Sequence, residues 1–358
     1  MSEFRILLTG GGSGGPTTPL LAVYASLQES LGTSGIRGLF LGSHDGPERA
    51  MVEKACIPFQ ALPSGKLRRY WSVQNFIDPF KILGAFFLSF KLLWQFKPHV
   101  VISAGSFVSV PVAYAAWVLR IPHVIFQMDV KPGLANRLMA PVSQVLTYLF
   151  DVSAGHFNIR HKIKIGPVVR KEIVEANADR ANIQFGLKPD KPVLLITGGG
   201  LGALKLNQAT ERLLSFWLKT FQVVHLTGSL YKPTFQHEDY HPLSFVHEGM
   251  GDLIARSDLV ITRAGLGIIG ELAQLSKDAI LIPMPGTHQE QNAGIVADHG
   301  GCYYWKQQHY IDLEESGWLE FMEQHQTGTK GRKLNALLPS GGAEQLAEIL
   351  KKYSTFSK

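Results

Sequence analysis

Short apolar runs alternate with longer amphipathic stretches along the whole chain. Runs at 5–8, 38–41, 100–103, 123–126 and 145–149 read as buried strands, with helical stretches such as 20–31 and 110–119 between them. After Gly166 the rhythm restarts with strands at 193–197, 222–226, 259–262 and 279–283 and helices around 203–218, 266–275 and 289–299. Strands and helices alternating at this spacing predict parallel sheets covered on both faces. There are two such series, each opened by a strand and a glycine-rich turn. The expected fold class is therefore α/β, with two Rossmann-like domains. The hinge falls near 165–170, dividing residues 1–166 from 167–340, and 341–358 carries one amphipathic helix at 342–353. No solenoid period, heptad run or low-complexity tract stands out.

Composition narrows the class. At 358 residues, 45% hydrophobic and 18% charged, the chain has the make-up of a well-cored globular protein of about two domains. Cys56 and Cys302 are too few for a disulfide framework or a four-thiolate zinc site. The opening MSEFRILLTGG runs into a strand without the pattern of a secretory leader, so a cytoplasmic, reduced protein is expected. No cluster of histidines or carboxylates has metal-ligand spacing, so no metal and no cofactor are expected.

Charge adds a partner. Residues 1–166 hold 16 Lys+Arg against 8 Asp+Glu, while the remainder holds 19 against 21. The basic excess of the first half points to an anionic partner. Because the basic residues are scattered and no nucleic-acid fingerprint is present, a membrane surface is favoured over nucleic acid. The apolar stretch 80–96 includes Lys81 and Lys91 and is too short to span a bilayer. It follows the cluster Lys66-Leu67-Arg68-Arg69-Tyr70-Trp71. Two readings stand: a buried helix beside a solvated basic loop, or a monotopic patch resting on anionic headgroups.

Two glycine-rich turns carry the candidate chemistry. The first spans Gly10 to Gly15 after ILLT, and the second is Gly198-Gly199-Gly200-Leu201-Gly202 after VLLIT. Each precedes a helix, so the backbone can approach a diphosphate whose charge the helix N-terminus favours. Tight turning alone also accounts for either one. The second strand ends Leu41-Gly42-Ser43-His44, without the acidic residue that would hold a dinucleotide ribose, which disfavours a dehydrogenase. Farther on, Gly265 and Gly267 open a helix that carries Glu271 eight residues after Arg263, placing a carboxylate near a helix start.

GGSGGPTTPLLAV at 11–23, PGLANRLMA at 132–140, GPVVR at 166–170 and GGGLGALKLNQ at 198–208 follow in one order, then TRAGLGIIGELA at 262–273 and GTHQEQNAG at 286–294. In this set the chain resembles the family 28 glycosyltransferases over about residues 4–350. The resemblance implies the GT-B fold, with the last helix packing back on the N-terminal domain. It also implies inverting, metal-independent transfer of N-acetylglucosamine from UDP-GlcNAc to an undecaprenyl-pyrophosphoryl muramyl-pentapeptide, by a peripheral protein on the cytoplasmic face of the membrane. A diverged family member acting on another lipid or metabolite, and a non-catalytic nucleotide-sugar-binding scaffold, are the alternatives.

On the donor side the resemblance assigns Glu271 to the ribose hydroxyls and Gln289 to the sugar, with His288 as a secondary contact. It puts Arg170, Arg263 and Gly265 at the diphosphate, beside Gly199, Gly200 and Asn207 of the second turn. Gly200 stands where the family carries a serine. On the acceptor side Gly14, Gly15, Ser109 and Asn136 are kept, but the family's histidine is Pro16, its GGYVS is GSFVS with Phe107, and its His-Glu-Gln-Asn run is Phe126-Gln127-Met128-Asp129. Proline has no titratable group. Asp129, the one new carboxylate there, is the candidate general base, with helix capping ahead of Lys131-Pro132 as its competing role. His44, His99 and His123 are the other candidates.

Overall fold

The structure, a computed structural model, describes residues 3–12, 14–63, 74–199 and 202–354, with the backbone alone over 74–80. The basic cluster at 66–71 and the second-turn residues Gly200 and Leu201 lie outside the described residues. The chain forms two compact units, residues 1–170 with 341–358, and residues 171–340.

The first unit is built on seven strands: β1 (Phe4–Thr9), β2 (Ile36–Ser43), β3 (Phe59–Leu62), β4 (Val100–Ser103), β5 (His123–Gln127), β6 (Val145–Tyr148) and β7 (His161–Lys164). They pair in the order β3-β2-β1-β4-β5-β6-β7, every pair parallel. In β1 three successive side chains, Ile6, Leu7 and Leu8, are wholly buried. A strand covered on both faces reads as a continuous apolar run for this reason.

The second unit repeats the plan with β8 (Val193–Thr197), β9 (Gln222–Leu226), β10 (Tyr240–Leu243), β11 (Leu259–Thr262), β12 (Ala279–Leu281) and β13 (Tyr303–Tyr304), in the order β10-β9-β8-β11-β12-β13. Strand order reverses between β1 and β4 and again between β8 and β11. In open parallel sheets such a reversal parts the loops at the carboxyl ends of the strands and leaves a crevice for ligands. Each glycine-rich turn leaves the carboxyl end of a strand at such a reversal.

The apolar stretch at 80–96 lies in the helix Gln74–Phe96. Ala85, Ser89 and Leu93, four residues apart, form its buried stripe, and Ala85 and Leu93 pack in a cluster with Leu7, Leu39 and Val101. Leu83, Phe87 and Trp94 are exposed on the same helix. The helix thus has a core stripe and an apolar outer face, so it serves the buried reading on one side and leaves the patch reading a surface on the other.

The last helix, Gly342–Lys351, belongs to the first unit. Gln345 Oε1 accepts from Gly166 N–H at 2.9 Å, and Lys351 Nζ donates to Ser30 Oγ at 2.8 Å at the end of the helix Gly14–Leu31. A Cβ on Gly342 would lie 2.1 Å from the Gly166 carbonyl oxygen, so this crossing requires glycine.

Candidate active site

In the first unit the loops after β1, β2, β4 and β5 converge on the reversal point. The first glycine turn runs from Gly10 to the start of the helix Gly14–Leu31, with Gly14 and Gly15 as its first two residues. Pro16 comes third, within the first turn, where a backbone N–H has no partner inside the helix. The chain accommodates proline there without loss of a hydrogen bond.

The centre of this turn is filled by a side chain that the sequence did not single out. Glu48 is wholly buried. Its carboxylate accepts from Gly12 N–H at 3.1 Å and Ser43 N–H at 2.7 Å, and from the Ser43 hydroxyl. A Cβ on Gly11 or Gly46 would fall within 2.2 Å and 1.8 Å of its oxygens, and one on Gly42 would lie 3.1 Å from its Cγ. Glycines 11 and 46 therefore leave room for a carboxylate of this chain, and Gly42 leaves room for the Phe59 ring. The available signal was the pair Gly42 and Gly46 just ahead of a glutamate at the next helix start, Glu48–Lys54.

Ser109 is also fully buried: its hydroxyl donates to Gly105 O at 2.8 Å and accepts from Thr9 Oγ1 at 3.2 Å. It fastens the end of β1 to the start of the helix Ser109–Val118. Between them the chain turns through Gly105 (φ 94°) and Ser106 (φ 79°), the second a non-glycine residue in the left-handed region. Phe107 beside it is partly exposed, at 37%.

After β5, Gln127 and Asn136 form a directed chain. Gln127 Nε2 donates to the Asp129 carbonyl oxygen at 2.6 Å, and Asn136 Nδ2 donates to Gln127 Oε1 at 2.6 Å. Asp129 is half-buried two residues beyond β5. The N-cap of the following helix, Leu134–Met139, is Gly133, so the capping role weighed for Asp129 is not the one it has. The histidine alternatives lie elsewhere. His99 accepts from Arg5 N–H at 2.9 Å near the amino end of β4. His123, at the amino end of β5, contacts Ser143 Oγ at 2.7 Å and Ser103 Oγ at 2.9 Å, and burial pushes its pKa down to about 3. His44 is exposed and pairs with Asp45.

In the second unit the turn after β8 is held by close approach. A Cβ on Gly202 (φ 76°) would lie 2.3 Å from the Thr227 carbonyl oxygen, and one on Gly198 would lie 2.6 Å from Ala203 Cβ. Gly199 (φ 89°) donates its N–H to Thr197 Oγ1 at 3.2 Å. Asn207, assigned to the donor, is 1% exposed, and both ends of its amide have protein partners. Nδ2 donates to Thr227 O at 2.7 Å, and Oδ1 meets His225 Nε2 at 3.1 Å. His225 also contacts Tyr240 Oη at 2.9 Å, and burial lowers its pKa to about 4. Asn207 thus braces the strand opposite Gly202.

Arg263 likewise turns inward. It is 8% exposed; Nη1 donates to the carbonyls of Ile282 (3.1 Å) and Pro283 (3.3 Å), and Nη2 donates to Gln307 Oε1 at 2.7 Å. Burial without a carboxylate holds its pKa below the usual guanidinium value. These bonds tie Arg263 to the loop after β12, the loop that carries His288 and Gln289. Gln289 Oε1 accepts from Met284 N–H at 3.1 Å, and Asn292 Nδ2 donates to Ala264 O at 3.3 Å, joining this loop's helix (Gln289–Asp298) to the turn after β11. His288 is exposed and Gln289 half-exposed. Gly265 is the N-cap of the helix Leu266–Gln274. Glu271 is the sixth residue of that helix, a turn and a half beyond the start where the sequence reading put it, and half-buried. Arg170 closes the first unit, half-buried. Among the described residues no group of three or more His, Cys, Asp or Glu side chains is placed to hold a metal ion.

The chain is similar to known proteins over most of its length. The model of the glycosyltransferase family 28 N-terminal domain matches residues 6–145, and that of the family 28 C-terminal domain matches residues 193–340. A Lachnoclostridium phytofermentans protein, named UDP-N-acetylglucosamine–N-acetylmuramyl-(pentapeptide) pyrophosphoryl-undecaprenol N-acetylglucosamine transferase, is 41% identical over 310 residues, covering 85% of this chain and 86% of its own. A Clostridium botulinum protein of the same name is 33% identical over 356 residues, 98% of this chain and 99% of its own. The crystal structure of Acinetobacter baumannii MurG superposes with a TM-score of 0.73 at 22% identity, covering 98% of this chain and 99% of that one. A solved glycosyltransferase of kitacinnamycin superposes at 0.75 with 14% identity, over 99% of this chain and all of that one. The fold is GT-B, and the chain belongs to glycosyltransferase family 28.

Proposed function

We propose that this chain transfers N-acetylglucosamine from UDP-GlcNAc, with inversion, to an undecaprenyl-pyrophosphoryl-N-acetylmuramyl-pentapeptide, completing a peptidoglycan precursor. The observation that carries the reading is the end-to-end match, 33% identical over 356 residues, to a relative named for that transfer. In this reading Glu271 accepts the ribose hydroxyls and the Gln289 amide meets hydroxyls of the sugar. Arg170 and the N-terminus of the helix Leu266–Gln274 offset charge on the departing UDP. Arg263 holds the 282–289 loop in place for this. Asp129 takes the proton of the attacking hydroxyl. Metal takes no part.

The chain works as a peripheral protein at the cytoplasmic face of the membrane. Exposed Leu83, Phe87 and Trp94 support this, with Trp117 and Val118 exposed on the neighbouring helix end. No helix among the described residues is long and apolar enough to cross a membrane. Pro16, Phe107, Gln127 and Asp129, where the family pattern differs, favour a second reading in which the acceptor is another lipid or metabolite. UDP release, measured with UDP-GlcNAc and a panel of acceptors with and without EDTA, separates them. Release with the muramyl-pentapeptide lipid, undiminished by EDTA, is expected. Release only with another acceptor refutes the first reading, and a loss restored by added metal refutes the metal-free one.

A further inference from the structure

The hydrogen-bond direction at Gln127 fixes what Asn136 offers to a ligand. A carbonyl oxygen only accepts, so Gln127 must turn its amide nitrogen to the Asp129 carbonyl and its oxygen to Asn136. Asn136 must then turn its nitrogen to Gln127. Its own Oδ1 is left facing the Gly105 turn, where a Cβ on Gly105 would lie 3.6 Å away. Asn136 is 6% exposed and this oxygen has no partner. Buried acceptors are normally paired, so the site is incomplete without a donor.

The second observation is the residue next to Gly105. Ser106 holds φ at 79° although it has a Cβ, a left-handed conformation that strains an ordinary residue. Glycine, the residue that GGYVS has at this place, would adopt it freely. The Ser106 hydroxyl makes no hydrogen bond among the described residues, and the neighbouring aromatic, Phe107, has no hydroxyl. A hydroxyl is therefore present one residue before the position where the family motif has one, on a turn whose preceding residue, Gly105, lies beside the unsatisfied Asn136 oxygen.

We infer that Ser106 and Asn136 Oδ1 together read the acceptor sugar, the Asn136 oxygen accepting from an N–H or O–H of that sugar and the Ser106 hydroxyl bonding an adjacent polar group. The inference rests on the proposed transfer to a muramyl acceptor and names the specificity residues of its acceptor half. Ser106→Ala keeps the Cβ and its strain while removing the hydroxyl. Asn136→Ala removes the oxygen.

Each variant is assayed by UDP release with UDP-GlcNAc and the muramyl-pentapeptide lipid in detergent, and UDP affinity is measured by calorimetry. Loss of one such bond corresponds to about a tenfold rise in acceptor KM, with kcat reduced far less and donor KM and UDP affinity unchanged. Should Ser106→Ala fold poorly, Ser106→Gly lacks both strain and hydroxyl and is expected to be more stable than the parent, with the same rise in acceptor KM. An active parent whose Ser106 variants share its acceptor KM overturns the inference. So does an equal fall of kcat/KM for both substrates in Asn136→Ala, which marks a structural role. A parent that releases no UDP with this acceptor overturns the proposed function and takes the inference with it.

Discussion

Replacing Glu48 by alanine removes the carboxylate at the centre of the first glycine turn. That carboxylate accepts from Gly12 N–H, Ser43 N–H and the Ser43 hydroxyl in a wholly buried position. A hydrogen bond to a charged group contributes about 1.5–3 kcal/mol, and a buried N–H left without a partner costs about 1–3 kcal/mol. Against this stands the several kcal/mol needed to bury a charge in the first place. The surrounding Gly11, Gly42 and Gly46 have no side chains to refill the space, so the turn cannot repack. The net expectation is a loss of about 3 kcal/mol from the first unit. Glu48→Gln separates charge from shape. Its oxygen still serves Ser43, but its amide nitrogen faces the Gly12 N–H, donor against donor, and about half of the loss is expected.

Two units unfold as separate transitions in general, so one midpoint does not suffice. Urea unfolding followed by hydrogen exchange over 4–12 and 36–48 isolates the effect. Exchange at the Gly12 and Ser43 amides is expected to accelerate while β8, β9 and β11 keep the parent's protection. Parent-like protection at Gly12 and Ser43 in Glu48→Ala, with an unchanged urea midpoint, refutes the assignment of this carboxylate as the organiser of the turn.

Acid provides a second test: the folded pKa values of His123 and His225, about 3 and about 4, lie below the usual 6.5. The unfolded chain therefore takes up these protons first, and stability falls as pH drops below 6.5, by about 1.4 kcal/mol per pH unit for each histidine. Thermal melts at pH 7 and pH 5 should differ by about 2 kcal/mol per histidine, and His225→Gln should flatten the second unit's share; identical melts would contradict the burial argument. Glu271→Ala is expected to weaken UDP binding by about 1.5–3 kcal/mol for each hydroxyl bond lost, and calorimetry showing parent affinity rules out the ribose role. Phe87→Ser with Trp94→Ser should lower co-sedimentation with anionic vesicles without changing UDP affinity, because both side chains are exposed on the helix Gln74–Phe96; equal sedimentation removes this face from the membrane contact.

Nine strands were legible as apolar runs, and the four that were not, β3, β7, β10 and β13, are the two outer strands of each sheet. The cause is position. An interior parallel strand is covered on both faces and shows as an unbroken apolar run, whereas an edge strand is free to be polar. His161-Lys162-Ile163-Lys164 in β7 and the proline within Tyr240-His241-Pro242-Leu243 of β10 are both tolerated only at an edge. At the site, residue types could be read but not their partners. Asn207, Ser109 and Arg263 stood out by motif, yet each binds atoms of its own unit, through contacts 4 to 100 residues away in sequence. Glu48 reaches Gly12 across 36 residues and belongs to no motif. Ser106 carried a signal that could have been used, a side chain where the motif has glycine.

The two glycine-rich turns look alike in sequence, follow the first strand of their respective sheets and lead into helices, yet they present different electrostatics. In the first, Gly12 N–H is already bound to a buried carboxylate, which sets negative charge where a phosphate would have to come. At 4 Å two like charges repel by about 4 kcal/mol at the effective dielectric of a protein surface, enough to turn a diphosphate away. In the second, the contacts of Gly198, Gly199 and Gly202 are with neutral groups, among them the Thr227 carbonyl against Gly202 and the Thr197 hydroxyl against Gly199. Two turns of one sequence type are thus sorted by a single side chain. Under the proposed function, this difference favours the second unit for a doubly charged nucleotide leaving group and leaves the first turn for a neutral part of the acceptor. Glu48→Gln, by removing the charge and keeping the shape, should make the first turn less hostile to inorganic pyrophosphate. Pyrophosphate would then broaden the Gly11 and Gly14 amide resonances of the variant but not of the parent, and equal response in both would show that the carboxylate does not do the sorting.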